Sequence, residues 1–249
     1  MQVWQHLWQN WRVRGVRQSW GLALMGRLGA LVGLSRDTRG VVRVQLSTVL
    51  AVPAGTAVTD HFWVTQTLQE AGRLLSGRAH TLVVGLDAPD VVMGSMTSTL
   101  DVTSNDGVAD VQLEVSQALH LPPDEVNFDF EVDTLGRGFV RQIHWAGCAK
   151  SQVSAIQKGV NEAGWRLSSV EPAMHAAKRA ASALVGGLPS LMQQAPQDWQ
   201  FRWRAMDEPV SLDDEGMATV RDAGLLQEAL TSSVGPRLVA CGLALKAWS

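Results

Sequence analysis

A double proline divides two opposite hydrophobic periodicities in this chain. Before Pro122-Pro123, the residues Val108, Val111, Val115, Ala118 and Leu119 mark one face of a helix. After it, Val126, Phe128, Phe130 and Val132 alternate with Asn127, Asp129 and Glu131, the period-two pattern of a half-buried strand. Proline cannot supply the amide that the next helical turn needs, so the change of structure falls there.

The same alternation runs along most of the sequence. Leu31–Leu34 and Val41–Leu46 read as two strands joined by a polar turn, Ser35-Arg36-Asp37-Thr38-Arg39-Gly40. Thr81 to Leu86 is a short buried strand ended by Asp87-Ala88-Pro89. A turn at Gly136-Arg137-Gly138 leads into the apolar run from Phe139 to Ala149. Val153, Ile156, Val160 and Ala163 then give a helical face, and Gly164 is placed to stop it. Trp165 to Val170 returns as a strand, and Pro172 suits the first turn of a helix through Ala183. Trp199, Phe201 and Trp203 alternate with Gln200, Arg202 and Arg204, and Leu238, Cys241, Leu245 and Trp248 recur at helical spacing to end the chain. Strand and helix in this order predict an α/β domain.

The first 30 residues differ in composition. They carry Arg12, Arg14, Arg17 and Arg27 and no carboxylate, because the first acid is Asp37. Trp4, Leu7, Trp8 and Trp11 fall on one helical face. A basic amphipathic helix of this kind lies in an anionic membrane interface or docks on a partner; the alternative is a helix packed on its own domain, or an extension. Residues 1–30 are therefore read as a separate segment, 31–185 as the main α/β unit, and 186–249 as a less regular remainder closed by a core-facing helix.

Several function classes are disfavoured by what the 249 residues contain. Hydrophobic residues make up 46% and charged residues 18%, an ordinary globular balance. The net charge of −3 gives the chain as a whole no electrostatic case for nucleic acid. Cys148 and Cys241 stand far apart in no paired motif, which fits a reducing compartment and neither a disulfide framework nor a zinc site. The apolar stretch from Gly21 to Leu34 is broken by Arg27, so no spanning helix is expected. No GxxxxGK[ST] phosphate loop, no GxSxG elbow and no i, i+4 histidine pair occurs. Asp60-His61 is a candidate acid–base pair, although adjacent residues rarely meet in working geometry. Asp129 and Glu131 point the same way on one strand, as a solvated strand face also does.

Three stretches together resemble the PilM family of type IV pilus and DNA-uptake machines, a relative of the cell-division protein FtsA in the actin-like superfamily. Leu121-Pro122-Pro123-Asp124-Glu125-Val126-Asn127-Phe128-Asp129-Phe130-Glu131-Val132 is similar to that family's hydrophobic-Pro turn and Glu-Val-X-X-Asp strand. Glu162-Ala163-Gly164-Trp165 and Val170-Glu171-Pro172-Ala173 resemble its "AGL…VDVES.A" segment. Ala240-Cys241-Gly242-Leu243-Ala244-Leu245-Lys246-Ala247-Trp248 resembles its closing "A.GLALR" helix. The length fits shortened relatives of the HofM or ComA competence type.

The resemblance implies a reduced actin-like (ribonuclease H-like) fold with a small inserted subdomain at about 87–135. It also locates a departure. The family's opening "VGIDIGSSSVKAVEL" holds nucleotide phosphate and metal in its Asp-X-Gly-Ser turn; the stretch aligned with it is Val32 to Val42. Ser35 then takes the Asp position and Asp37 the Gly position, with Arg36, Thr38 and Gly40 completing a degenerate nucleotide loop. A carboxylate where phosphate should approach repels it. No cofactor is therefore expected, ATP with magnesium being disfavoured, and no catalytic residue is named.

The implied role is a non-catalytic scaffold, cytoplasmic and peripheral at the inner membrane. It would bind the cytoplasmic N-terminal tail of a PilN-like membrane protein and through it join PilO and PilP, with the pilus motor ATPases as further candidate partners. Val83 and Leu86 on one strand, and Val108, Val111, Val115 and Leu119 on the helix, are the region-level candidates for tail contact. Trp4, Trp8, Trp11, Arg12 and Arg14 are the candidates for membrane or partner contact by the first segment. The readings left beside this are an actin-like ATPase or nucleotide switch of the same machine, a cytoplasmic assembly-platform protein of type II secretion, and an unrelated small-molecule-binding domain.

Overall fold

The opening hairpin is two consecutive apolar runs turned back on each other. Strand β1 (Gln18–Met25) pairs antiparallel with β2 (Leu28–Arg36), with Met25 opposite Leu28, so only Gly26 and Arg27 form the turn. Gly26 has φ +58, a conformation such a tight turn requires and a side chain resists. The computed structural model describes residues 18–37, 40–75, 80–98, 104–133, 141–194, 201–203 and 220–248.

This hairpin corrects the sequence reading twice. The strand expected at Leu31–Leu34 runs from Leu28 to Arg36, and a further strand precedes it. Residues 18–30 are accordingly part of the main sheet, and the boundary placed at 30 falls inside β2. Both strands are covered on both faces, so they carry no polar alternation and their period is not readable.

Strand β3 (Val42–Ala51) follows antiparallel to β2, with a register shift at Gly33/Leu34. Helix α1 (His61–Leu74) crosses to β4 (Thr81–Leu86), which runs parallel to β1. Much later β8 (Arg166–Pro172) adds parallel to β4, giving the order β3-β2-β1-β4-β8. Helix α1 and helix α3 (Lys150–Glu162), the latter through Ile156 and Val160, cover one face over Leu22, Leu24, Leu31 and Leu82. Helix α4 (Ala173–Ala183), entered directly from Pro172, and helix α7 (Gly235–Leu245) cover the other over Ala23, Val32 and Val83. Every residue of α7 except Arg237 is buried, which explains a helix apolar on all sides.

Between β4 and β8 the chain builds a second, smaller sheet. Strand β5 (Val92–Ser98), helix α2 (Asn105–Leu119), a single 3-10 turn (Pro123–Glu125), β6 (Val126–Val132) and β7 (Arg141–Ala149) give the antiparallel order β5-β7-β6. Ser104 caps the start of α2 by accepting from the Gly107 amide, and His120 closes it in a left-handed conformation before Leu121-Pro122. The inserted subdomain thus spans 92–149 rather than about 87–135, because β7 is its central strand.

After α4 come α5 (Gly187–Met192) and α6 (Val220–Thr231). Of the alternating stretch from Trp199 to Arg204, the described residues 201–203 pair with the end of α4 through Leu184 and Trp203. Trp4, Trp8, Trp11, Arg12, Arg14, Thr38 and the Gly136–Gly138 turn lie outside the described residues.

Candidate functional site

The loop aligned with the family's phosphate turn lies at the wrong end of the sheet. Gln18 pairs with Ser35, so Ser35, Arg36 and Asp37 sit beside the start of β1, where β2 leads on toward β3. Ligands of open α/β sheets sit outside the carboxyl ends of the parallel strands, which is the other end. The side chains of the connection serve the connection. Ser35 Oγ accepts from Gln45 Nε2 at 2.6 Å, and the Asp37 carboxylate accepts from the Val41 amide at 3.0 Å and lies 3.9 Å from Arg43. Arg36 is half-buried at the end of β2, and Gly40 has φ +78.

The true opening turn is Gly26-Arg27, and no carboxylate stands in the hairpin that carries it. Aligning the family pattern on Gly21 or on Gly26 puts Ala23 or Leu24 in the Asp position. Both are fully buried apolar side chains.

At the carboxyl ends of β4 and β8 stand two polar groups. Asp90, after β4, receives Gln152 Nε2 at 2.6 Å; burial raises its carboxyl, the Gln152 hydrogen bond opposes this, and Asp87 adds to it. Burial, with Asp90 adding to it, pushes the nearby Cys148 thiol up to about 11, which leaves it an inert core group. Glu171, at the end of β8, is the hub of a buried ion cluster. Arg179 of α4 donates to both its oxygens, at 2.6 and 3.1 Å, and to the Gly242 carbonyl at 2.9 Å. Lys246, just past α7, reaches the same carboxylate at 2.6 Å. Burial alone would raise the Glu171 carboxyl, but the Arg179 hydrogen bond and the charges of Lys246 and Arg179 outweigh it and hold it below its usual range. Both its oxygens are engaged from within, so the cluster ties β8, α4 and α7 together.

The small sheet has one covered and one open face. Helix α2 packs on Val126, Ile143 and Trp145, while Met93, Ser95 and Thr97 of β5, Asp129 and Glu131 of β6, and His144 of β7 are exposed on the opposite side. His175, in the first turn of α4, lies within the field of Glu131 of this open face. Burial and then Lys178 hold His175 below the usual imidazole range, against the pull of Glu171 and Glu131.

Four of the region-level contact candidates are corrected by burial. Val83 and Leu86 belong to the main core, Val111 and Val115 to the core under α2, with at most 5% exposure. A partner cannot touch them without opening those cores. Val108 is half-buried, and Leu119 packs against the small core. Sequence reasoning read Asp129 and Glu131 as a solvated strand face but missed the part of the open face that β5 supplies, Met93, Ser95 and Thr97. The Asp60-His61 pair is a helix cap: the Asp60 carboxylate accepts from the amides of Phe62 and Trp63 at 3.0 and 3.1 Å. Among the described residues no group of three or more His, Cys, Asp or Glu is placed to hold a metal.

No protein-family description and no characterised protein matches the sequence. Solved structures do resemble the fold. The structure described as the PilM–PilN type IV pilus biogenesis complex aligns over 66% of this chain and 51% of that one, with 17% identity and a TM-score of 0.52. The cytoplasmic domain of EpsL, an inner-membrane component of the type II secretion system of Vibrio cholerae, aligns over 64% and 58%, with 15% identity and a TM-score of 0.44. The ethanolamine utilization protein EutJ from Carboxydothermus hydrogenoformans aligns over 67% and 41%, with 14% identity and a TM-score of 0.32. The chain spans about half the length of the first of these. The five-stranded order β3-β2-β1-β4-β8, with helices on both faces and a small inserted sheet, is an actin-like, ribonuclease H-like α/β fold.

Proposed function

We propose that this chain is an assembly component of a type IV pilus, competence or type II secretion machine, working as a docking scaffold and not as an ATPase. It binds the cytoplasmic N-terminal tail of a PilN-like inner-membrane protein as an extended peptide, along the open face of the small sheet. Through that tail it joins a PilO–PilP complex on the cytoplasmic side of the inner membrane, within reach of the motor ATPases.

The observation that carries this reading is the fold shared with the solved PilM–PilN complex over 66% of this chain. Two features of the chain support it. Peptide capture needs a groove with free polar and apolar side chains rather than an acid–base pair, and the face bearing Met93, Ser95, Thr97 and Glu131 offers both kinds. Phosphate and magnesium need backbone amides beside a carboxylate, and the opening hairpin offers a two-residue turn with Ala23 and Leu24 behind it.

The full chain, co-expressed with a tagged N-terminal tail from a neighbouring single-span membrane protein, is expected to co-purify with it. Its melting temperature is expected to stay unchanged in Mg-ATP. A stabilisation of several degrees by Mg-ATP would move the reading to a nucleotide switch.

A further inference from the structure

We propose that the end of the core sheet where β1 begins is a membrane-docking surface for anionic lipid headgroups, with the small subdomain held away from the bilayer. Register fixes which residues share that end. Gln18 pairs with Ser35 and Ser35 with Arg43, while Trp20 pairs with Leu82 and Thr81 with Arg166. Helix α1 also finishes there, because a Cβ at Gly72, near its end, would stand 3.6 Å from the indole nitrogen of Trp165, the residue before β8. Arg36, Arg43, Arg73 and Arg166 are thereby gathered at one pole, the last three exposed. The carboxylates described near this pole are Asp37, 3.9 Å from Arg43, Glu70, three residues before Arg73 on α1 and accepting from Gln66, and Glu162, 3.9 Å from Lys158. Beside Arg73, Leu74 is 77% exposed, and Val185, after α4, is 52% exposed.

Basic side chains around exposed aliphatic ones are what an anionic bilayer surface takes up. The sequence joined to Gln18 has the same chemistry: Arg12, Arg14, Arg17 and three tryptophans, with no carboxylate. The far pole is the opposite. Residues 92–149 hold nine carboxylates against two arginines, a polarity hidden by the net charge of −3. A nine-residue strand such as β2 separates the ends of the sheet by about 30 Å. That is about three Debye lengths, so a docked molecule keeps its acidic pole outside the repulsive field. Attraction at one end and repulsion at the other favour the same orientation. This docking does not require a peptide on the small sheet.

The test is sedimentation of the full chain with vesicles of phosphatidylcholine alone or mixed with phosphatidylglycerol. Binding is expected only to the mixed vesicles, and to fall as salt is added. Arg43→Gln with Arg73→Gln is expected to weaken it by about tenfold or more, whereas Arg141→Gln, on the small subdomain, leaves it unchanged. Equal melting temperatures of the two variants exclude misfolding as the cause. The proposal is overturned if the Arg43/Arg73 variant binds like the unaltered chain, if pure phosphatidylcholine binds as well, or if duplex DNA is retained where the mixed vesicles are not.

Discussion

Glu171→Ala is expected to destabilise the fold by about 3–5 kcal/mol, the loss typical of breaking a buried ion cluster from one side. The carboxylate is 6% exposed and holds two cations that are themselves largely covered, Arg179 at 25% and Lys246 at 16%. Without it both stay buried with no counter-charge, and the energy follows from that isolation rather than from the pairs lost. In a chain of this length the melting temperature should fall by about 10 °C. Replacing all three residues together by Leu, Leu and Met should recover most of the loss, because an apolar trio leaves no charge stranded. The cluster also sets an acid limb. The Glu171 carboxyl is held below its ordinary value of 4.5, so its contribution is complete above that value and disappears as pH falls through the folded pKa. Thermal melts of the unaltered chain and of Glu171→Gln should therefore converge in acid; parallel curves down to low pH would assign the stability elsewhere.

Gly242→Val is expected to be of similar size, about 3 kcal/mol or more, and to cost solubility. A Cβ at this position would stand 1.8 Å from the Ala176 carbonyl oxygen and 2.5 Å from its carbon. Both are backbone atoms of α4, so no rotamer change relieves the clash, and α7 must leave the sheet it covers. The contrasting substitution is Gly224→Ala, in helix α6, where an added Cβ meets nothing within 4 Å. It should be neutral or stabilising by about 0.5–1 kcal/mol through helix propensity. Circular dichroism melts distinguish the two. Gly224 closes one of the two Asp-X-Gly triplets of the sequence, and its helical setting in α6 rules out a strand-borne phosphate turn there; the other, Asp214-Glu215-Gly216, lies outside the described residues.

These two sites show why part of the fold was legible in the sequence. Glu171, Gly242 and Lys246 each lie in a motif that resembles a known family, 75 residues separating Glu171 from Lys246, and the fold brings all three to one junction. Motif residues of this kind report contacts, and contacts specify topology. Strand β6 and helices α2 and α3 were readable because each has one wet face that marks its period. Gly164 was readable as a helix stop because its φ of +78 suits no other residue as well. Strand β1 was not readable, since Trp20, Leu22, Ala23 and Leu24 are buried on both faces and leave no polar beat. Missing it moved the opening turn by one strand and placed the phosphate alignment on Ser35 to Gly40. The rest of the open face was hidden for a related reason: apolar residues such as Val83 and Val111 announce a core, while exposed residues such as Met93 and Ser95 resemble any solvated surface.

The measurement that bears most directly on the scaffold reading is a calorimetric titration of the full chain with a PilN-like cytoplasmic tail peptide, run without and with Mg-ATP. The account expects saturable binding on the order of micromolar affinity, the same in both runs, and no heat from nucleotide alone. Heat from Mg-ATP with none from the peptide would contradict it.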